Sequence, residues 1–335
     1  MDSQKQIRAF SKLGDEIQRM ILNEDKIIDT AYNENGWFVP LFVKNALQGL
    51  TYMLKEEKLF KWLSHYPEPQ NGTKNIGIIM AGNIPLVGFH DLLTVICSKN
   101  RAIIKLSHKD NVLIPYIAEL LEKIDPSLKH QIVFEKSLNH VDAVIATGSD
   151  NTSRFFAYTF RNIPRLIRKN RSSCCVLDGN ESSSELEELS KDIFSYFGMG
   201  CRNVSKIYVP EGFDTRSLFP HFTNYSWIKN HSKYYHNYSF QSARLSLEKR
   251  EFVDGQFFIL LRDQNLISPL ACLHYEKYEN QLELETIIAD DRHKIQCIVS
   301  RGGSFPNSLY YGMAQFPEPW DYADNVDIID FLSGI

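Results

Sequence analysis

Apolar residues recur at helical spacing at the start of the chain, at Ile7, Phe10, Leu13, Ile17, Met20 and Ile21, so residues 1 to 72 are expected to be mainly helical. The most apolar part of this region, Trp37 to Leu54, predicts a core-facing helix, and the turn-rich Pro67-Glu-Pro-Gln-Asn-Gly72 closes it. From there the pattern changes to short apolar runs: Ile76–Met80, Ala102–Leu106, Gln131–Phe134, Ala143–Thr147 and Cys174–Leu177. Helix-compatible segments such as Leu86–Cys97 and Asn111–Lys123 lie between them. Near-continuous apolar strands that alternate with helices imply a parallel sheet covered on both faces, and hence an α/β nucleotide-binding domain.

After Asp178 the composition becomes rich in Ser and Glu over residues 180–188, which reads as a helix start with acidic residues in its first turn. That helix is expected to run to Phe197, followed by a turn at Gly198-Met-Gly200 and a strand over Val204–Val209. Residues 220–245, rich in Tyr, His, Asn and Ser, are read as loop with short helix. Strands are expected again at Phe257–Leu261 and Ser268–Leu273. The organisation expected is therefore N-terminal helices and a nucleotide-binding domain over residues 1–188, a second α/β domain over 189–312, and a C-terminal segment over 313–335. In the last of these, Val326–Leu332 is read as an interface strand.

A chain of 335 residues has room for two cores, and 43% hydrophobic with 23% charged residues is ordinary globular usage. A formal charge of -4 without a basic block argues against nucleic acid as a partner. The charged first twenty residues do not fit a secretory signal, and polar residues and breakers such as Lys44 and Gly49 interrupt Trp37–Leu54 as a membrane span. Six scattered cysteines with no C-x-x-C pair fit reduced thiols, and a cytoplasmic location is expected.

Candidate chemistry sits at the ends of the expected strands. Cys201 falls on the connection between a helix and a strand. Gly198 and Gly200 free the backbone to turn there, and Arg202 can favour the thiolate. A buried, inert cysteine is the commoner role for such a residue. Asn83, directly after the first strand, is either a turn former or a donor to a developing oxyanion, and its position beside Pro85 favours the turn. Lys105, Ser107 and Lys109 end the second strand, and Thr147-Gly-Ser149 ends the fourth ahead of a helix. Both are places where an open α/β sheet receives ligands. No G-x-G-x-x-G is present, and His231 and His236 lack the neighbours a metal site needs.

The series Asn83-Ile-Pro, Lys105-Leu-Ser107, Thr147-Gly-Ser149 and Gly198-Met-Gly-Cys201 resembles the Asn-Phe-Pro, Lys-Pro-Ser, Thr-Gly-Ser and Gly-Gln-x-Cys series of the aldehyde dehydrogenase superfamily. Three further segments look more specifically like its acyl-CoA reductase (LuxC-like) family: Gly36-Trp-Phe-Val-Pro40, Phe252-Val-Asp-Gly255 and the ending Gln315-Phe-Pro-Glu-Pro-Trp-Asp-Tyr-Ala-Asp324.

The resemblance implies an aldehyde dehydrogenase-like fold, a Rossmann-type nucleotide domain plus an α/β catalytic domain, in an enzyme that reduces an acyl-CoA or other acyl thioester to an aldehyde. It makes Cys201 the acyl-accepting nucleophile and Asn83 its oxyanion donor, reversing the turn reading. It places Lys105 and Ser107 at the adenosine ribose and Gly148 and Ser149 at the pyrophosphate, and suggests a homodimer. The segment Leu166-Ile-Arg-Lys-Asn-Arg171 lacks the carboxylate that activates water in aldehyde dehydrogenases, which favours reduction over hydrolysis. Asn265-Leu-Ile-Ser-Pro269 departs from the Glu-x-Phe-Gly-Pro motif. His108, where NAD-preferring relatives often carry Glu, points to NADPH. An acyltransferase or thioesterase using the same acyl-cysteine is the alternative.

Overall fold

A computed structural model describes residues 3–67 and 72–335, so positions 68–71 of the expected closing turn lie outside the described residues. The chain forms two compact units, Met1–Asn170 with Phe316–Ile335, and Arg171–Gln315.

The first unit opens with helices α1 (Ser3–Leu22), α2 (Ile27–Glu34), α3 (Pro40–Met53) and α4 (Glu56–Leu63). Phe10, Leu13 and Ile17 of the expected stripe on α1 are fully buried, and α1 packs against α3 and α4. Pro40 starts α3 at the position where a missing N–H costs nothing.

Strands and helices then alternate: β1 (Asn75–Ile79), α5 (Phe89–Cys97), β2 (Arg101–Lys105), α6 (Leu113–Ile124), β3 (Ile132–Phe134), β4 (Ala143–Thr147), α7 (Asp150–Thr159) and β5 (Arg165–Arg168). All pairings are parallel, in the order β3-β2-β1-β4-β5. The chain steps outward from β1 to β3 and then returns to the other side of β1, so β1 and β4 flank the point where the winding reverses. Ligand crevices of open α/β sheets form at the carboxyl ends of such strands.

The second unit contains β6 (Ser172–Val176), α8 (Ser183–Phe194), β7 (Val204–Pro210), the single turn α9 (Phe219–Phe222), α10 (Ser232–Leu247), β8 (Val253–Asp254), β9 (Ile259–Arg262), β10 (Cys272–Tyr278), α11 (Gln281–Asp291) and β11 (Ile295–Ser300). Its sheet runs β11-β6-β7-β10-β9-β8, parallel except for β8. A capping box between Ser182 and Glu185 starts α8, in agreement with the acidic first turn.

Three expectations change here. The apolar pattern makes Cys174–Leu177 the last strand of the nucleotide sheet, but β6 pairs with β7 and β11 in the second sheet. The compact units accordingly divide at 170/171, whereas the sequence reading puts its boundary at 188/189. Within the region read as loop with short helix, residues 232–247 form a sixteen-residue helix. Val326–Leu332 is not a strand: α12 (Ile328–Ser333) forms instead, capped by the Asp327 side chain, and buries Ile328, Ile329 and Leu332 against the first unit.

The ending that carries part of the resemblance is a strap on this first unit. The Glu318 carboxylate accepts the Tyr52 hydroxyl at 2.6 Å and pairs with Lys58, and the buried Tyr322 hydroxyl accepts the Trp62 indole N–H at 2.7 Å. No helix among the described residues is long and apolar enough to cross a membrane.

Candidate active site

Helix α8 ends in an unusual way. Tyr196, Phe197 and Gly198 all adopt left-handed backbone, with φ of 53°, 58° and 77°. Such a conformation costs a bulky residue of order 1 kcal/mol or more and persists only where the surroundings fix it. Phe197 is fixed by aromatic packing: its ring centroid lies 4.6 Å from His231, 5.6 Å from Tyr234 and 6.2 Å from Trp227. The reversal leads into a tight turn at residues 200–203, closed by the Asn203 N–H donating to the Gly200 carbonyl at 3.0 Å, with Cys201 and Arg202 at its corners.

Every side of this turn is held. The Asn203 side chain, 1% exposed, accepts the Gly200 N–H at 2.8 Å and donates to the carbonyls of Asp192 at 3.0 Å and Ser195 at 2.9 Å. The Cys201 carbonyl accepts from the Ser173 hydroxyl at 3.0 Å, and the same hydroxyl accepts the Cys297 N–H. Arg202, expected to favour a thiolate, donates its Nε to the Ala314 carbonyl at 2.5 Å. Ala314 and Gly312 in turn donate their N–H groups to the Asp192 carboxylate, whose pKa burial pushes up to about 7.

The cysteines separate by environment. Burial pushes the thiols of Cys97, Cys174 and Cys175 well up, and that of Cys272 to about 11; Cys201, Cys272 and Cys297 are half-buried, Cys201 at its turn and the other two on strands. Among the described residues no group of three or more His, Cys, Asp or Glu side chains is arranged to hold a metal ion.

In the first unit the remaining candidates lie at the carboxyl ends of adjacent strands. Asn83 is exposed on the loop after β1, Lys105 is the last residue of β2, and His108 and Lys109 are exposed on the loop that follows. The two loops touch: a Cβ at Gly82 would lie 2.6 Å from the Ser107 Oγ, so only glycine admits this approach beside Asn83. Ser107 Oγ accepts the Lys109 N–H at 3.2 Å. After β4, Ser149 caps α7 by accepting the Thr152 N–H, and a Cβ at Gly148 would meet the Thr152 side chain at 3.0 Å. The N-terminus of α7 and the exposed Lys105 and Lys109 are groups that favour anions.

Two buried ionic groups in this unit escape the sequence reading. Asp110, 4% exposed, accepts the Leu86 N–H at 2.8 Å, and burial raises its pKa to about 6. Arg168, at the end of β5 in the segment without the water-activating carboxylate, is 5% exposed and pairs with Asp91 of α5 at 2.7 Å; its Nε and Nη2 are buried without hydrogen-bond partners. The charged character of β5 conceals it as a strand.

No curated protein matches this chain in sequence. Solved structures do match in fold. Aldehyde dehydrogenase 21 of Physcomitrella patens, in complex with the reaction product succinate, is 10% identical with a TM-score of 0.66, covering 95% of this chain and 77% of that one. A Mycobacterium tuberculosis aldehyde dehydrogenase complexed with NAD+ is 12% identical with a TM-score of 0.64, covering 94% and 76%. A mutant of Pseudomonas syringae aldehyde dehydrogenase C, complexed with NAD+ and octanal, is 11% identical with a TM-score of 0.63, covering 91% and 73%. These likenesses establish an aldehyde dehydrogenase-like fold. The acyl-CoA reductase (LuxC) family matches residues 42–217, more than half of the chain and a span that includes Asn83, Lys105, Gly148 and Cys201, and the chain belongs to that family.

Proposed function

We propose that the protein reduces an acyl-CoA to the corresponding aldehyde with NADPH, through a thioester on Cys201. The observation that carries this reading is Cys201 itself: a half-buried thiol at a hydrogen-bonded turn inside the span the family matches, where the other cysteines of that span, Cys97, Cys174 and Cys175, are buried with raised pKa values.

In this reading the Cys201 thiolate attacks the thioester carbonyl carbon. A bond forms from Sγ to carbon, and the developing oxyanion accepts a hydrogen bond from the Asn83 amide. When the tetrahedral centre collapses, the carbon–sulfur bond to coenzyme A breaks and its thiolate leaves, so acyl-Cys201 remains. The absence of a carboxylate in residues 166–171, where Arg168 is instead neutralised by Asp91, supports a thioester that water does not consume.

Lys105, Ser107, His108, Gly148 and Ser149 are the residues assigned to hold NADPH, which when bound supplies the hydride that reduces the acyl carbon. Release of the aldehyde from the sulfur returns the Cys201 thiol.

The test is intact-mass measurement after mixing with acyl-CoA in the absence of NADPH. A mass increase equal to the acyl group, missing in Cys201→Ala, supports the reading. An adduct that survives Cys201→Ala moves the nucleophile elsewhere. NADPH consumption across acyl-CoA chain lengths, with aldehyde detection, then separates reduction from acyl transfer; acyl-CoA turnover without NADPH oxidation would favour a transferase or thioesterase.

A further inference from the structure

Asn203 stands outside the four motifs of the resemblance, yet its side chain is the most fully committed polar group around Cys201. The carbonyls it engages belong to the last turn of α8 and its C-cap Ser195, where backbone acceptors have no partners within the helix. Its amide nitrogen satisfies those of Asp192 and Ser195, with that of Ile193 at 3.5 Å. Its Oδ1 takes the Gly200 N–H, and its own N–H closes the turn onto the Gly200 carbonyl. One side chain therefore bolts the end of a helix to the residue immediately before Cys201.

A helix terminus by itself needs only a donor, which Lys, Ser or an ordered water could supply. What Asn adds is a donor and an acceptor on one rigid planar group, so the helix end and the turn cannot shift independently. The left-handed run Tyr196–Gly198 lies between these two anchor points, and its strain would otherwise relax by moving the turn.

We propose that Asn203 is the positioning residue for the Cys201 nucleophile: it transmits the fixed position of α8 to the thiol so that Sγ reaches the acyl carbon in line. The proposal rests on Cys201 being the acylated residue. A displacement of about 1 Å at a reacting atom lowers a rate on the order of a hundredfold, whereas a small, freely diffusing reagent tolerates the same displacement.

The experiment uses the full-length protein with octanoyl-CoA as probe. Acylation of Cys201 is followed by intact mass, alkylation of Cys201 by iodoacetamide is followed by peptide mapping, and NADPH affinity and thermal unfolding are recorded beside them. Asn203→Ala is expected to acylate about a hundredfold more slowly while its Cys201 alkylation and its NADPH affinity stay at the wild-type level. A folded Asn203→Ala that acylates at the wild-type rate overturns the proposal, as does a parallel loss of acylation and alkylation.

If Asn203→Ala does not fold, Asn203→Asp decides. This variant keeps the acceptor for Gly200 and regains a donor only when its carboxyl is protonated. Its acylation rate relative to wild type should therefore rise as the pH falls from about 8 to about 6; a flat ratio overturns the proposal. Failure of the underlying reading is separately visible, because wild-type protein would then show no octanoyl adduct at Cys201 while the alkylation comparison could still be made.

Discussion

The carboxylate of Asp110, at the start of the segment leading into α6, accepts the backbone N–H of Leu86 at 2.8 Å, so the loop after β2 holds the loop after β1 that carries Asn83. Leu86 is itself left-handed, with φ of 60°, and 4% exposed. Removing the acceptor leaves a buried N–H unpaired at a cost of roughly 1–3 kcal/mol. Asp110→Ala should lower unfolding stability by about that amount and raise amide hydrogen exchange at residues 83–88, with Asp110→Asn nearer to wild type because its Oδ1 still accepts. Unchanged exchange in Asp110→Ala would show that the loop is held by its other contacts.

The legible parts of this fold are those whose local pattern and tertiary environment agree. Strands β1, β2 and β4 are covered on both faces, so their buried Ile76, Ile78, Ala102, Ile104, Val144 and Ile145 form apolar runs in the sequence. Edge positions are harder to read: β5 spells Arg165-Leu-Ile-Arg168, and its Arg168 is buried only because Asp91 neutralises it. Helix α10 buries little beyond Tyr234 and Leu245, which leaves no stripe to find. At Val326–Leu332 a short apolar run is compatible with either strand or helix, and the Asp327 cap decides for helix. Of the site, the strand-end and turn positions of Asn83, Lys105, Gly148 and Cys201 can be read. Asn203 and Asp110 cannot: the bonds of Asn203 depend on the left-handed reversal after α8, and that of Asp110 on how the loops after β1 and β2 close on one another.

A pH dependence of stability follows from the buried carboxyl of Asp192. Its folded pKa, raised to about 7 by desolvation, stands above the ordinary value of 3.8 that it takes when unfolded. The folded protein therefore binds more protons than the unfolded chain between those limits. The contribution is fully present below the unfolded value and is lost as pH rises through about 7. Chemical denaturation should find wild type more stable relative to Asp192→Asn, by on the order of 3 kcal/mol, as pH is lowered from about 8 to about 4. Comparison with the variant isolates this group from Asp110, which acts in the same direction, and from the half-buried His90 and the buried His274, whose lowered pKa values act in the opposite one. A pH-independent difference between the two proteins would place the Asp192 proton elsewhere.

Asn83 is the other residue on which the proposed acylation depends. Loss of one oxyanion donor typically slows turnover by about a hundredfold to a thousandfold. Because Asn83 is exposed and is not among the residues assigned to the cofactor, Asn83→Ala should leave the fold intact and NADPH affinity largely unchanged. Single-turnover acylation of Cys201 measures the effect directly. A wild-type rate in the variant would restore Asn83 to the role of turn former.

In the proposed reading, cofactor choice turns on His108. It is exposed on the loop after β2, directly following Ser107 and beside the exposed Lys109, with the exposed Lys105 ending the strand. In the proposed reading these lysines face a 2′-phosphate, and position 108 carries no carboxylate to grip ribose hydroxyls. Placing a carboxylate there, as His108→Glu, repels the phosphate and offers an acceptor to an unphosphorylated ribose. A hydrogen bond to a charged group is worth roughly 1.5–3 kcal/mol, so the preference for NADPH over NADH should fall by about tenfold to a hundredfold. The ratio of kcat/KM values for the two cofactors measures it. Thermal stability should stay within about 0.5 kcal/mol of wild type, since the side chain lies at the surface. An unaltered cofactor ratio in His108→Glu would mean that the ribose is recognised elsewhere on the first unit, and the assignment of Lys105 and Ser107 would fall with it.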